Sequence, residues 1–115
     1  MADKLVHFEV VGKDGPKLME FYGQLFGWTV NADNPMNYGM VDNAGQGIGG
    51  GISGGDGSTT SVTFYVEVED LEASLAKAEE LGGSKVMGPT DIPSGQIAMF
   101  ADPEGALIGL MTPMG

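Results

Sequence analysis

The chain has 115 residues, of which 42% are hydrophobic, enough for one domain with an ordinary core. Sixteen acidic residues stand against five lysines and no arginine, which gives a formal net charge of −11. This balance argues against binding to nucleic acid or to strongly anionic ligands, because phosphates have no basic patch or guanidinium group to contact. A cationic ligand is a better candidate, since the summed field attracts it, although solubility alone would also explain the acidity.

Cysteine is absent, which excludes disulfides, thiolate catalysis and thiolate metal ligands together. No stretch approaches the roughly 18 apolar residues that a membrane-spanning helix requires. The N-terminus also lacks the charged and then apolar pattern of a signal peptide. The sequence therefore predicts a cytoplasmic protein without a membrane partner.

The first half of the chain predicts a strand, a helix and three short strands. In residues 4–11 apolar and polar side chains alternate, which is typical of a strand with one buried face. His7 and Glu9 lie on its polar face. Asp14 is placed to cap a helix that Gly27 ends, and its apolar residues recur at helical spacing. Further strands are predicted over 28–30, 38–41 and 47–53.

The second half repeats this order. Residues 62–68 alternate like the first strand, with Val62, Phe64, Val66 and Val68 predicted to be buried. Asp70 caps a second helix, which stops at Gly82 and Gly83. A short strand over 86–87 is followed by a predicted turn that contains Pro89 and Pro93. The last strands are predicted over 96–100 and 107–111.

The two halves match residue by residue, which indicates an internal repeat. At an offset of 56 positions, Phe8 corresponds to Phe64 and Asp14 to Asp70; later the offset becomes 60, and Gly49 corresponds to Gly109. The repeat predicts a single domain of two tandem βαβββ modules, over about 1–53 and 61–115, joined by a glycine- and serine-rich linker over 54–60.

The repeat predicts an α+β fold in which two sheets form a half-open, eight-stranded cup with the helices outside. The concave side of such a cup is where a ligand would bind. The polar faces of the two long strands would line it, with His7, Glu9, Thr63, Tyr65 and Glu67.

Several motifs resemble the vicinal oxygen chelate superfamily of glyoxalases, bleomycin-resistance proteins and extradiol dioxygenases. They are His7-Phe8-Glu9-Val10, Phe26-Gly27-Trp28, Gly47-Ile48-Gly49-Gly50-Gly51-Ile52 and Phe100-Ala101-Asp102-Pro103-Glu104-Gly105. The resemblance covers essentially the whole chain and implies the same cup-shaped fold.

The resemblance also implies a divalent metal held by four strand positions. Here these positions hold His7, Gly49 or a neighbouring glycine, Thr63 and Gly109. A catalytic metal needs about three protein ligands, and of these residues His7 alone is a good one. We therefore expect no metal cofactor, with Glu9 and Glu67 as further donors only if the ligand set is atypical.

Trp28, Tyr38 and Tyr65 complete the predicted ligand site, because aromatic side chains beside carboxylates suit a planar or cationic ligand. They are equally consistent with a core or an interface. Residues 45–50 match G-x-G-x-x-G, but no helix is predicted after them, which argues against a nucleotide site. The glycines either allow a ligand or a second subunit to approach the backbone, or form a plain edge strand.

These features favour a metal-independent protein that binds and sequesters an aromatic or cationic small molecule. One alternative is a metal-dependent lyase, isomerase or dioxygenase with atypical ligands around His7. Another is a non-catalytic interaction subunit that uses the glycine-rich strand. A homodimer is plausible in each case.

Overall fold

The computed structural model describes residues 2–57 and 59–113. Met1, Ser58, Met114 and Gly115, which belong to the predicted module ends and linker, lie outside the described residues. The elements in chain order are β1 (Lys4–Val11), α1 (Gly15–Phe26), β2 (Thr29–Asn31), β3 (Gly39–Asp42), β4 (Gly49–Ser53), β5 (Ser61–Glu67), α2 (Leu71–Glu80), β6 (Ser84–Ile92), β7 (Gly95–Ala101) and β8 (Leu107–Met111).

The predicted α+β class and the twofold order of strand, helix and three strands are confirmed. The chain forms two compact units, His7–Thr63 and a second unit of Met1–Val6 with Phe64–Gly115. Strands of the first unit are ordered β2-β3-β4-β1, and those of the second β5-β8-β7-β6. In each unit a parallel pair, β1 with β4 or β5 with β8, is extended by antiparallel strands.

In the His7–Thr63 unit, α1 packs on one face of the sheet. Asp14 caps this helix by accepting a hydrogen bond from the Lys17 amide at 3.2 Å, and Gly27 ends it with a φ of 74°. Val41 and Ile52 are buried. The predicted capping residues and the predicted helix are both confirmed.

In the second unit, α2 packs against β6 and β7, and Asp70 caps it through the Ala73 amide at 3.0 Å. Buried apolar side chains from the helix and the sheet form one core cluster, with half-buried Val66 and Phe100 beside it. Its members are Val68, Leu71, Leu75, Ala98 and Leu110.

The prediction of a short strand over 86–87 followed by a turn at Pro89 was wrong. Strand β6 continues through Pro89 to Ile92. Proline is tolerated here because β6 is the last strand in its order and its pairing with β7 shifts register between Met87 and Thr90. Irregular pairing removes the need for the amide that proline lacks.

The predicted burial pattern of β5 was wrong in its first half. Val62 is 75% exposed and Phe64 38% exposed, whereas Thr63 and Tyr65 are only 5% and 6% exposed. The Tyr65 ring packs directly over Gly109, its partner on β8, and this contact covers the supposedly polar face. The apolar face becomes buried only at Val68.

Neither helix of the described residues is long and apolar enough to cross a membrane. The cytoplasmic location stays a prediction.

Candidate functional site

One face of the His7–Thr63 sheet is left uncovered by α1. The opposite face carries Phe8, whose ring lies 5.3 Å from that of Trp28, and Gly39, beside the Met19 sulfur. Because side chains alternate along a strand, His7 and Glu9 project from the uncovered face. Strand pairing places three residues of this face in one row: Glu9 on β1 pairs with Gly51 on β4, and Gly51 pairs with Met40 on β3.

The Tyr38 hydroxyl joins His7 and Glu9 into one hydrogen-bonded group. It donates to Glu9 Oε2 at 2.9 Å and lies 2.9 Å from His7 Nε2. A phenol has a single proton, and that proton points to Glu9, so the imidazole Nε2–H donates to the phenol oxygen. The tyrosine thus connects two residues of one strand that lie about 7 Å apart and cannot reach each other directly.

The loop before β3 holds Tyr38 in this position. The Asn34 side chain donates to the Tyr38 carbonyl at 2.7 Å and accepts from the Tyr38 amide at 3.0 Å. The Tyr38 and His7 rings are stacked, with centroids 6.3 Å apart and planes 17° from parallel. The phenol is therefore fixed from both its backbone and its ring.

The glycine-rich strand β4 makes room for aromatic rings of the same chain. A Cβ on Gly51 would overlap the Tyr38 ring, and one on Gly50 would overlap the Phe8 ring on the other face. The sequence predicted a close approach to this backbone, by either a ligand or a second subunit. Side chains of the chain itself make this approach, one from each side of the strand.

Burial lowers the pKa of His7 below its ordinary value of 6.5, and the nearby Glu9 carboxylate opposes this effect by raising it. Burial is the larger cause, so the imidazole is neutral at pH 7. The group of His7, Tyr38 and Glu9 then carries the single negative charge of the carboxylate.

The lowered pKa predicts that acid destabilises the native protein through His7. The unfolded chain takes up a proton near pH 6.5, whereas the folded chain does so only at lower pH. The His7 contribution to the free energy of unfolding is thus full above pH 6.5 and is lost as the pH falls from 6.5 to the folded pKa. Thermal unfolding of the wild type and of His7→Gln between pH 7.5 and 5 measures this contribution.

The wild type should lose more of its melting temperature than His7→Gln over that range. Both proteins contain the same acidic residues, so the difference between the two curves isolates the histidine. Parallel curves would contradict a lowered pKa of His7.

Of the four other residues predicted for the ligand site, Trp28 lies on the opposite face of its unit from this group. Trp28 packs with Phe8, Tyr22 and Phe26 on the α1 face. In the second unit, the Glu67 carboxylate lies 3.6 Å from the Lys4 ammonium. Thr63 and Tyr65 are the two buried residues of β5. Their role in ligand binding stays a prediction.

Sequence reasoning missed the remaining residues of the uncovered face. Met40 is the partner of both Gly51 and Asn31, so all three side-chain positions share the face of Glu9. Its side chain is 49% exposed. Asp42, two residues further along β3, adds a second carboxylate to the same face. Alternation on β3 was the available signal, but it could not show which neighbour each residue would face.

The residues at the predicted metal positions do not fit a divalent ion. Gly51 pairs with Glu9 as Gly109 pairs with Tyr65, so pairing makes Gly51, rather than Gly49, the counterpart of Gly109. Glycine offers no ligand atom. Across residues 2–57 and 59–113, no three His, Asp or Glu side chains are grouped closely enough to hold an ion.

Residues 4–110 match the model of the Glyoxalase/Bleomycin resistance protein/Dioxygenase superfamily. This match spans nearly the whole chain and agrees with the twofold βαβββ order and with the motifs around His7 and Gly51. The chain therefore belongs to this superfamily, as its motifs predicted.

One related sequence is CFP32, a candidate glyoxylase of Mycobacterium tuberculosis, which is 42% identical over 50 residues. The matched stretch is 43% of this chain and spans only 19% of CFP32. An identical match exists to the Mycobacterium bovis protein of the same name.

Solved structures with the same fold are more distant in sequence. Methylmalonyl-CoA epimerase from Mycobacterium tuberculosis has a TM-score of 0.69 at 17% identity, covering 96% of this chain and 88% of its own. The Mn(II)-bound glyoxalase from Novosphingobium aromaticivorans has a TM-score of 0.68 at 13% identity, covering 99% of this chain and 41% of its own. At these identities the likeness concerns the fold alone.

Proposed function

We propose that this protein is a metal-independent small-molecule-binding member of the superfamily, which sequesters a cationic, aromatic ligand. The ligand would bind on the uncovered face of the His7–Thr63 unit. The hydrogen-bonded group of His7, Tyr38 and Glu9 is the observation that carries the proposal, because it fixes a carboxylate beside an aromatic ring.

The charges of this face favour a cation. Glu9 and Asp42 provide carboxylates, and the His7 imidazole on the same face is neutral at pH 7 because burial lowers its pKa. A neutral imidazole does not repel an ammonium group, and the Tyr38 ring offers a face for cation–π contact. The exposed thioether of Met40 adds an adaptable apolar surface for the body of the ligand.

The lining of β4 does not favour the alternative of an interaction subunit based on its glycines. Tyr38 occupies the space over Gly51 on one face and Phe8 that over Gly50 on the other. A partner would have to displace these rings. The metal-dependent alternative has the fold of its relatives in its favour, but the donor set described above does not fit it.

Binding of benzylammonium, compared with benzyl alcohol and benzoate, tests the proposal. We expect benzylammonium to bind most tightly, with amide chemical-shift changes at Glu9, Gly49 and Gly51. Glu9→Gln removes the fixed charge and keeps the shape, so it should weaken binding about tenfold, equivalent to about 1.4 kcal/mol. Isothermal titration calorimetry and nitrogen-15 NMR give the two readouts.

Glu79→Gln is the matched control, since this exposed residue of α2 has the same chemistry far along the chain from Glu9. Its binding should equal that of the wild type. A flat response to all three compounds would overturn the proposal. Stoichiometric binding of Mn²⁺ or Ni²⁺ that disappears in His7→Ala would replace it with the metal-dependent alternative.

A further inference from the structure

An open apolar groove lies beside α1, on the other side of the unit from the His7 group. Its volume is about 430 Å³, within the range of ligand pockets, roughly 300–1,000 Å³. Side chains of α1 and of the segment before Thr63 form its walls, and two lysines stand at its edge. The lining of the groove includes Lys13, Lys17, Leu18, Phe21, Tyr22 and Val62.

The internal repeat supplies a second groove for comparison, beside α2 in the other unit. Its volume is about 630 Å³. At the offset of 56 positions, Lys13 corresponds to Glu69 and Lys17 to Ala73, and both counterparts line the second groove. The groove beside α1 therefore has two basic residues at positions where the groove beside α2 has an acidic residue and an alanine.

We propose that the groove beside α1 binds an amphipathic anion, namely a carboxylate attached to an apolar body. The lysines would contact the carboxylate and the apolar walls would cover the rest of the molecule. This site is separate from the proposed cation site, on a different face and with the opposite charge.

The charge at this groove departs from that of the whole chain. Two of the five lysines of an otherwise acidic protein lie here. Neither forms an ion pair within the described part of the chain. The one acidic lining residue, Asp14, already accepts the capping bond from the Lys17 amide. An anion repelled by most of the surface would therefore be attracted to this groove.

The apolar side chains that form the walls of the groove are not buried by the rest of the unit. Phe21 is 56% exposed and Val62 is 75% exposed, although both line the groove. Half-buried Leu18 and Tyr22 continue this apolar surface into the groove. Burying such surface contributes about 25 cal/mol per Å², so an anion with an alkyl chain gains more than a bare carboxylate.

Titration with octanoate, octanol and octylamine below their micelle-forming concentrations tests the proposal. We expect saturable octanoate binding, with nitrogen-15 NMR shift changes confined to the amides around Lys13, Lys17 and Val62. Octanol should bind at least fivefold more weakly and octylamine more weakly still. Raising the salt concentration should weaken octanoate binding, because the lysines are exposed.

The double variant Lys13→Gln, Lys17→Gln should lower octanoate affinity at least fivefold. Lys85→Glu is the matched control, because it changes the net charge equally at an exposed lysine on β6 that lines neither groove. Equal losses in both variants, equal binding of octanol and octanoate, or shift changes elsewhere would each overturn the proposal. Sedimentation with phosphatidylglycerol vesicles without octanoate binding would overturn it too and assign the groove to a lipid surface.

Discussion

Replacing Gly51 with alanine is expected to lower the free energy of unfolding by about 1–3 kcal/mol, the usual cost of an overpacked site. The new methyl group would overlap the Tyr38 ring. The ring must then move away, and its hydroxyl leaves both His7 and Glu9. Thermal unfolding measures the loss, and the His7 and Glu9 side-chain signals in an NMR spectrum should shift with it.

Gly49→Ala is the matched control, two residues earlier on the same face of the same strand. The closest atom to its Cβ would be the Val41 carbonyl oxygen at 3.7 Å, an ordinary contact. Alanine is favoured over glycine within a strand by roughly 0.5–1 kcal/mol, so this variant should be as stable as the wild type or slightly more so. Gly51→Ala should therefore lower the free energy of unfolding, whereas Gly49→Ala should leave it unchanged or raise it slightly.

A second variant separates the ring overlap from other effects of the methyl group. In a Tyr38→Ala background the ring is absent, so Gly51→Ala should cost little or nothing further. Such non-additivity is expected of residues in contact. An equal cost of Gly51→Ala in both backgrounds would contradict the proposed role of Gly51.

The architecture could be predicted from the sequence because its signals are local. Alternation in β1, the capping residues Asp14 and Asp70, and the terminating Gly27 each depend on the near neighbours of a residue. The twofold repeat then supplied the order of elements. Prediction was wrong where pairing with another strand decided the outcome, as with Pro89, which the irregular pairing of β6 tolerates, and with Tyr65, whose ring packs over Gly109 of β8.

The grouping of residues at the candidate site was only partly predictable for the same reason. His7, Glu9 and Tyr38 were each identified by side-chain chemistry, but no periodicity links a loop tyrosine to a strand 29 or 31 residues earlier. Gly51 on β4 was the sequence feature that indicated this contact, because the Tyr38 ring packs over it. A residue without a side chain in a strand marks the place where another group comes close, and its identity requires the fold.

The Tyr38 hydroxyl contributes both to stability and to the proposed ligand site. Tyr38→Phe is therefore expected to lower both the free energy of unfolding and the affinity for the ligand. Phenylalanine keeps the ring over Gly51 but leaves His7 Nε2 and Glu9 Oε2 without their shared partner. Lost hydrogen bonds of partly buried groups, one of them to a carboxylate, cost about 1–3 kcal/mol of unfolding free energy. Thermal unfolding measures this cost.

Affinity for benzylammonium should fall about tenfold in the same variant, because the Glu9 carboxylate is no longer fixed before the ligand binds. Tyr22→Phe is the control: its ring packs with Phe26 and Trp28, and its hydroxyl forms no hydrogen bond with a described residue. It should change neither stability nor affinity appreciably. A Tyr38→Phe variant that is less stable but binds benzylammonium as tightly as the wild type would confine Tyr38 to a structural role. Loss of both properties would show that the hydrogen bonds of the Tyr38 hydroxyl both stabilise the fold and position the charge that attracts the ligand.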